Sequence, residues 1–295
     1  MSQSLAELAD RLAWESTSWS SIELQIAGAS TEGATSKLRY ESRYIETAAG
    51  FRLNDERHQL ANGDTSRMLD FFNGERGGSI LYDPKAPLKQ TQAVLRESYG
   101  SERANAFADR PLALRFRYLV KKPLHLALTS GKELGMTKVL DRECVSVRFE
   151  KAFTPRPNTS LDLTYSIDRQ TGIPLQLDVA RSGSVVMTWN ALSFAVVDGR
   201  HLAKSSKLTT LLGDGTVARE QEESIVSVRF DQSFPSLTFT PKIDSNILVQ
   251  DEVTRKISVP KGRAGNTSDT PSGSVPATAV AEATPPRGWD AWAGP

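Results

Sequence analysis

Alternating apolar and polar residues between positions 161 and 230 constrain the fold more than any other feature of this chain. Side chains in a β-strand alternate between two faces with a period of two, so each alternating run predicts a strand with one apolar face. The apolar positions of the first three runs are Leu161, Leu163, Tyr165, Ile167, Leu175, Leu177, Val179, Val185, Met187 and Trp189. Asp198-Gly199 and Gly213-Asp214-Gly215 separate later runs and are typical of tight hairpins, because glycine adopts positive φ without steric cost. The stretch therefore predicts an antiparallel β-meander with one continuous apolar face.

The predicted meander contains one irregularity and extends toward the N-terminus. The apolar phase shifts at Asn190-Ala191 and resumes through Phe194, which predicts a bulge inside a strand rather than a turn. Period-two alternation also follows Trp19, and Asn73-Gly74 is another strong hairpin signal. We therefore expect the meander to begin well before residue 161.

Helical signals are restricted to short stretches. Leu5, Leu8 and Leu12 recur at helical spacing after Ser4, and Ser4 with Glu7 forms the capping-box pattern of a helix N-terminus. Prolines punctuate residues 84–130, where residues 101–110 and 123–131 are candidates for two further short helices. The run LRFRYLV at 114–120 fits a strand and a helix equally well, and KVLDRECVSVRF at 138–149 returns to a strand pattern.

The chain predicts one domain over residues 1–260, followed by a tail over residues 261–295 that ends in GWDAWAGP. The tail is rich in proline, glycine, serine, threonine and alanine and poor in large apolar residues, a composition typical of disorder. Trp289 and Trp292 stand out in it, because two large aromatic side chains on a tethered tail are suited to docking a protein partner. The alternatives are that they are the remnant of an anchor, that they are incidental, or that both pack back on the domain.

Composition excludes several classes of protein. The 36 basic and 35 acidic residues leave a formal charge of +1, which argues against nucleic-acid binding. Apolar runs are only a few residues long, far short of the roughly 20 that a membrane-spanning helix requires. The first residues lack the basic and apolar regions of a secretory leader, so we expect a cytoplasmic protein, or a periplasmic one if a signal peptide has been removed.

No set of residues indicates catalysis or metal binding, and we expect a protein that is not an enzyme and needs no cofactor. His58, His125 and His201 lie in different segments, without the spacing of a metal site. Cys144 is the only cysteine, and in an alternating apolar run it is expected to be a small core residue. Residues 213–218 match the Gly-x-Gly-x-x-Ala dinucleotide pattern, but a strand rather than a helix is predicted to follow, so a hairpin turn is expected.

A basic run at Arg115, Arg117, Lys121 and Lys122 alternates with Phe116 and Tyr118. It is compatible with a patch for nucleic acid or lipid headgroups, but the charged edge of an amphipathic strand is the simpler interpretation in a neutral chain.

The order of these elements resembles the LolA/LolB-like superfamily, especially its divergent members similar to outer-membrane lipoprotein-sorting proteins. The similarity covers roughly residues 5–259. It consists of an N-terminal helix leading into SIELQIAG, the hairpin MLDFFNGERGGSILYDP, the segment KVLDRECVSVRFE, the piece YSIDRQTGIPLQLDVARSG, the hairpin WNALSFAVVDGRHLAKSSKL and the closing VSVRFDQSFPSLTFTPKIDSNILVQDEV. The resemblance implies a mainly β fold: a strongly curved, incomplete antiparallel β-barrel whose open side is covered by a few helices. It also implies a pocket for acyl chains between the sheet and the helices.

The apolar sheet face is large for the few helices predicted to cover it, so part of it is suited to acyl chains, whose buried methylenes contribute about 0.8 kcal/mol each. Candidates for the lining are inward residues of the central strands: Tyr165, Leu177, Met187, Trp189 and Phe194. We therefore expect a non-enzymatic binder of a lipid or an acylated protein. The alternative is an interaction or scaffold module whose apolar face is ordinary core and whose tail docks a partner.

Overall fold

A computed structural model describes residues 4–32, 36–60, 63–97, 110–119, 122–156 and 159–258 of this chain. The strands in these ranges are β1 (Ser21–Glu32), β2 (Ser36–Thr47), β3 (Arg52–Gln59), β4 (Thr65–Phe72), β5 (Arg76–Asp83), β6 (Ala86–Glu97), β7 (Tyr118–Leu119), β8 (Lys122–Pro123), β9 (Lys132–Val139), β10 (Arg142–Arg156), β11 (Thr159–Asp168), β12 (Pro174–Arg181), β13 (Ser184–Val197), β14 (Arg200–Leu211), β15 (Val217–Phe230), β16 (Leu248–Asp251) and β17 (Lys256–Ser258). The helices are α1 (Leu5–Thr17), α2 (Leu112–Arg115) and α3 (Leu124–Ala127), with 3-10 turns at Leu128–Ser130 and Ser236–Phe239.

Fifteen of these strands form one open sheet, in the order β17-β16-β6-β5-β4-β3-β2-β1-β15-β14-β13-β12-β11-β10-β9. Neighbours are antiparallel except for β16, which pairs with β6 in parallel. The two ends of the sheet, β17 and β9, do not pair with each other, so the barrel is not closed. The predicted fold class, an incomplete and curved antiparallel sheet with few helices, is confirmed.

The predicted capping box opens α1. The Ser4 hydroxyl accepts a hydrogen bond from the backbone N–H of Glu7 at 3.3 Å, and the Glu7 carboxylate accepts one from the backbone N–H of Ser4 at 3.2 Å. These two bonds satisfy donors that a helix N-terminus otherwise leaves without partners. Leu8 and Leu12 are fully buried beneath the helix, so the predicted apolar face is the one that packs.

The glycine-marked hairpins lie where they were predicted. Asp198 and Gly199 turn with φ of 50° and 77° between β13 and β14. The Gly213–Gly215 segment connects β14 to β15, with the Leu212 N–H bonded to the Thr216 carbonyl at 2.8 Å, so it is a hairpin and not a dinucleotide loop. The register also shifts on either side of Ser193 inside the continuous strand β13, which confirms a bulge close to the predicted phase change.

The predicted return to strand over residues 138–149 is confirmed except at one turn. Leu140 and Asp141 form a tight turn that separates β9 from β10. Their φ angles of 51° and 59° lie in the left-handed region, which most residues avoid and which turn prediction associates with glycine or asparagine. Leu140 therefore gave no signal of a turn, and Asp141 gave only a weak one, since aspartate adopts this region more often than most residues do.

Residues 110–119 and 122–131, which lie between β6 and β9, cover part of one face of the sheet, and we call them the plug. Residues 114–120, which fitted helix and strand equally, contain the end of α2 and then the short strand β7, which pairs with β8. A helix predicted to begin at Pro123 is confirmed as α3, which packs beside α1. The predicted helix over 101–110, except Arg110, and the predicted tail with Trp289 and Trp292 lie outside the described residues.

The sheet buries apolar side chains on both of its faces. The larger cluster lies on the face that carries Leu24 and Trp189, which we call the inner face, and it packs against α1 and the plug. A smaller cluster lies on the opposite face, where Phe239 and Ile247 from the segment after β15 cover β2 to β6; its sheet residues are Ile45, Leu53, Leu69, Phe71, Ile80 and Ala93. Two adjacent residues of β2 belong to different clusters, Tyr44 to the larger and Ile45 to the smaller, because successive side chains of a strand point to opposite faces.

Candidate functional site

The inner-face residues of β11, β12 and β13 form a continuous apolar floor. Tyr165 lies directly opposite Leu177, and Leu177 lies directly opposite Trp189, so three adjacent strands place their side chains in one row. Met187 belongs to the neighbouring row, opposite Val179. The four predicted lining residues on these strands are thus brought together in one cluster, and all are buried.

The plug packs directly on this floor. The Phe116 ring stacks on the Trp189 indole with centroids 4.6 Å apart and planes tilted by 34°. The Tyr165 hydroxyl donates a hydrogen bond of 3.0 Å to the backbone carbonyl of Tyr118. Since the floor residues have 3% or less of their surface exposed, they contact protein atoms rather than a water-sized space. A ligand on the floor must therefore take the place of part of the plug.

One polar atom of the floor has no partner in the described part of the chain. Trp189 is 1% exposed, and its indole Nε1–H has no hydrogen-bond acceptor among the described residues. Buried donors in folded proteins almost always have an acceptor, so this atom requires an explanation.

Phe194, the fifth predicted lining residue, lies at the rim of the floor and is only partly buried. Its ring faces the Arg142 guanidinium at 4.6 Å and the His201 ring at 5.4 Å. These two polar neighbours place Phe194 where the apolar floor meets the charged surface.

A buried ion pair holds the first residue of the plug to β2. The Arg110 guanidinium donates from Nε to Glu46 at 3.0 and 3.2 Å, and from Nη2 to Glu46 Oε1 at 2.5 Å. The Tyr44 hydroxyl donates to the same carboxylate at 2.7 Å, and Arg110 also lies 4.1 Å from the centre of the Tyr118 ring. Burial alone would raise the pKa of Glu46, but the Arg110 guanidinium outweighs it and holds the pKa below 4.5.

A second buried carboxylate, Glu223 on β15, caps the start of α2. It accepts hydrogen bonds from the Leu112 N–H at 2.6 Å, from the Tyr40 hydroxyl at 2.8 Å and from the Gln221 side chain at 2.9 Å. Burial raises the pKa of Glu223 above 4.5. The Tyr40 ring lies over Gly28 on β1, where a Cβ atom would come within 2.2 Å of the ring.

Arg117 joins the plug to α1 and β14. It donates to the backbone carbonyls of Glu15 at 2.7 Å and His201 at 2.5 Å, and it is buried. The Glu15 carboxylate in turn accepts from the His201 backbone N–H at 2.8 Å and contacts the His201 ring. The interpretation of this basic run as the charged edge of a strand is therefore wrong for Arg117, which is an internal tie of the plug.

The described residues show no arrangement for metal binding. They contain no cluster of three or more histidine, cysteine, aspartate or glutamate side chains that could hold a metal ion. Cys144 is buried, as predicted, and burial raises the pKa of its thiol to about 11, so it is protonated at neutral pH. None of the helices in the described ranges combines the length and apolar character needed to cross a membrane.

Sequence reasoning identified the floor, but it did not identify the plug residues that cover it or the sheet residues that hold the plug in place. Phe116, Arg110, Glu46 and Glu223 come from segments far apart in the chain, and no local pattern pairs them. No signal in the sequence distinguished Glu46 and Glu223, because acidic residues of the same two strands, such as Glu41 and Glu222, are exposed.

Comparisons with known proteins support the fold. A DUF1329 family protein from Desulfovibrio piger is 12% identical, with a TM-score of 0.50 over 80% of this chain and 95% of the other. A domain from Vibrio parahaemolyticus named for outer membrane lipoprotein sorting is 12% identical, with a TM-score of 0.49 over 79% and 95%. A LolA superfamily protein from Nitrosomonas europaea is 9% identical, with a TM-score of 0.49 over 81% and 99%.

At these identities the similarity concerns the fold alone. The chain thus shares its fold with the DUF1329 family protein, in a divergent sequence. No protein-family profile matches the chain, and no curated protein matches it in sequence.

Proposed function

We propose that this protein is a non-enzymatic binder or carrier of a hydrophobic ligand, either a lipid or the acyl chains of a lipidated protein. The observation that supports this most is the apolar floor of β11–β13 beneath a plug built from two four-residue helices. Helices this short are not stable alone, so the plug keeps its structure only while it is docked. Segments of this kind open at a lower free energy than the sheet beneath them.

The ligand enters by displacing the plug from the floor. Fully burying the methylenes of a sixteen-carbon acyl chain contributes about 11 kcal/mol at about 0.8 kcal/mol each. Exposing the buried plug residues Leu112, Phe116 and Leu124 costs about 1.5–3 kcal/mol each. On apolar area, a long acyl chain therefore offsets the exposure of these three residues, whereas a short chain does not. The exchange requires the other large apolar residues of the plug, Leu114, Leu119 and Leu128, to remain packed.

In this proposal Tyr165, Leu177, Met187 and Trp189 contact the acyl chain along the floor, and Phe194 lies where the chain leaves the protein. The Arg142 guanidinium lies over the Phe194 ring at that exit and forms an ion pair with Asp168, with both hydrogen bonds at 2.9 Å. The fold likeness to a LolA superfamily protein and to a domain named for lipoprotein sorting is compatible with this function and adds no residue to it.

Native mass spectrometry tests the proposal most directly. The purified protein is measured before and after organic extraction, and again after incubation with 1-monopalmitoylglycerol. We expect bound mass that extraction removes and that the added lipid restores. An unchanged protein mass under all three conditions would contradict lipid binding.

Hydrogen exchange then locates the ligand. We expect the amides of Leu112 and Leu124, which are bonded to Glu223 and Arg117, to exchange faster with lipid bound, because the plug has moved. Sheet amides of β11–β13 should exchange no faster. Uptake without a change at the plug would place the lipid elsewhere. A charged substitution such as Trp189→Glu is a poor test, since at this buried position it would unfold the core.

The tail supplies a separate, protein-binding element in the proposal, with Trp289 and Trp292 as the docking residues. Removing residues 284–295 is expected to abolish capture of the partner and to leave lipid uptake unchanged. If the deletion also abolished lipid uptake, the two elements would not be separate.

A further inference from the structure

We infer that the Trp189 indole N–H donates a hydrogen bond to the carbonyl oxygen of a bound acyl ester, which makes the carbonyl a recognised part of the ligand. This inference rests on the proposed function and specifies its ligand. Its starting point is the unpartnered Nε1–H of a side chain that is 1% exposed. The indole nitrogen is a donor only, so no rotation of the group converts it into an acceptor.

The neighbours of the indole offer it no acceptor side chain. Leu177 and Leu208 lie opposite Trp189 on the two adjacent strands, and the Phe116 ring stacks on it from the plug. All three are hydrocarbon. Burying a polar group among such neighbours without a hydrogen bond is unfavourable, and that penalty is present for as long as the plug is docked.

Tyr165, in the same row of the floor, provides the contrast. Its hydroxyl donates to the Tyr118 carbonyl, which belongs to the plug. The docked plug therefore satisfies one of the two polar atoms of this row and leaves the other without an acceptor. Phe116 covers a face of the indole ring, whereas the N–H points along the edge of the ring. When the plug moves away, a ligand that lies across the row contacts both the face and the edge.

The position of this donor restricts the chemistry of the ligand. An apolar floor accepts any alkyl chain, but a single N–H within it favours a chain that carries one acceptor next to its methylenes. A carbonyl oxygen in an acyl ester has this placement, whereas an alkane has no acceptor and an ether oxygen is a weaker one. The site should therefore distinguish acyl from alkyl lipids that are equal in length.

Two matched lipids test the inference. In 1-monopalmitoylglycerol a carbonyl follows the chain, and in 1-O-hexadecylglycerol the same chain and headgroup are joined by an ether. We expect the ester to bind about tenfold more tightly in calorimetry, the equivalent of one hydrogen bond of about 1.4 kcal/mol. In Trp189→Phe, which keeps an aromatic floor and lacks the N–H, the two lipids should bind equally.

Nuclear magnetic resonance of the wild-type protein provides a second readout that does not depend on the variant. The chain has five tryptophans, so ¹⁵N-labelled indoles give five Nε1–H signals. Trp14→Phe, Trp19→Phe, Trp289→Phe and Trp292→Phe assign four of them, and Trp189 follows by elimination. The ester should move the Trp189 proton downfield, as hydrogen bonding does, and the ether should move it less.

The outcomes separate this inference from the proposed function. If neither lipid binds, the proposed function fails. If both bind with equal affinity, or if the ester is preferred without a downfield shift of the Trp189 proton, the inference is overturned while lipid binding stands. Preference for the ester together with that shift supports it.

Discussion

The ion pair between Arg110 and Glu46 should control how often the plug opens, and Glu46→Gln tests this. The substitution keeps the size of the side chain and one acceptor oxygen, but it removes the charge that faces the buried guanidinium. Arg110 then remains 7% exposed, with its cation opposite a neutral amide. Removing one partner of a buried ion pair destabilises by about 3–5 kcal/mol, because the remaining charge is left uncompensated.

The positions of the two residues indicate which equilibrium the lost free energy should affect. Arg110 is on the plug and Glu46 is on the sheet, so the loss acts on docking rather than on the strands themselves. A loss of 3 kcal/mol increases the population of the open plug by about 150-fold. We therefore expect the amides of Leu112 and Leu124 to exchange at least about 100-fold faster, while amides in β11–β13 exchange at nearly wild-type rates.

Asp55→Asn is the matched control. Asp55 and Arg67 form a bidentate pair at 2.8 and 2.9 Å between β3 and β4, and both side chains are largely buried. Asp55 is on the same side of its strand as Leu53, which belongs to the cluster on the face opposite to the plug. This variant should lower stability without selectively accelerating exchange in the plug. Equal acceleration of plug amides in the two variants would refute the assignment of Glu46 as the tie that holds the plug.

The contribution of the Arg110–Glu46 ion pair to stability should change with pH in a definite direction. The pKa of Glu46 is lowered in the folded protein, so its contribution to stability is present above 4.5 and is lost as pH falls through the lowered value. Wild-type protein and Glu46→Gln should therefore differ most at neutral pH. Their rates of plug exchange should converge in strong acid.

Three further substitutions have expected outcomes. Because the pKa of Glu223 is raised in the folded protein, its contribution to stability is complete below pH 4.5 and falls as the pH rises. At pH 8, Glu223→Gln should therefore unfold at the same temperature as wild type or at a higher one. The variant should also lose this pH dependence of stability. Gly28→Ala should destabilise by about 1–3 kcal/mol in urea titrations, since its Cβ would overlap the Tyr40 ring; an unchanged midpoint would show that Tyr40 moves freely. Replacing Leu140-Asp141 by Asn-Gly should stabilise by about 1 kcal/mol in the same assay, because both residues have positive φ, and a loss of stability would contradict that reason.

Local features of the chain were predictable because their causes are local. Alternation at Leu161, Leu163 and Tyr165 defines a strand face within a few residues, and the Ser4 capping box and the Asp198-Gly199 turn depend only on residues three or fewer positions apart. The exception was the hairpin at Leu140, where a residue that normally avoids positive φ occupies the turn.

The sequence by itself determined the fold class, the antiparallel meander and the apolar floor, because these follow from side-chain periodicity and turn chemistry. Only the tertiary structure decided what covers the floor. Arg110 meets a carboxylate 64 residues away, and the Leu112 N–H meets one 111 residues away. No local pattern distinguishes these carboxylates from solvent-exposed ones, since their burial results from packing between distant segments. The same holds for the unpartnered indole of Trp189, whose surroundings exist only once the plug is docked.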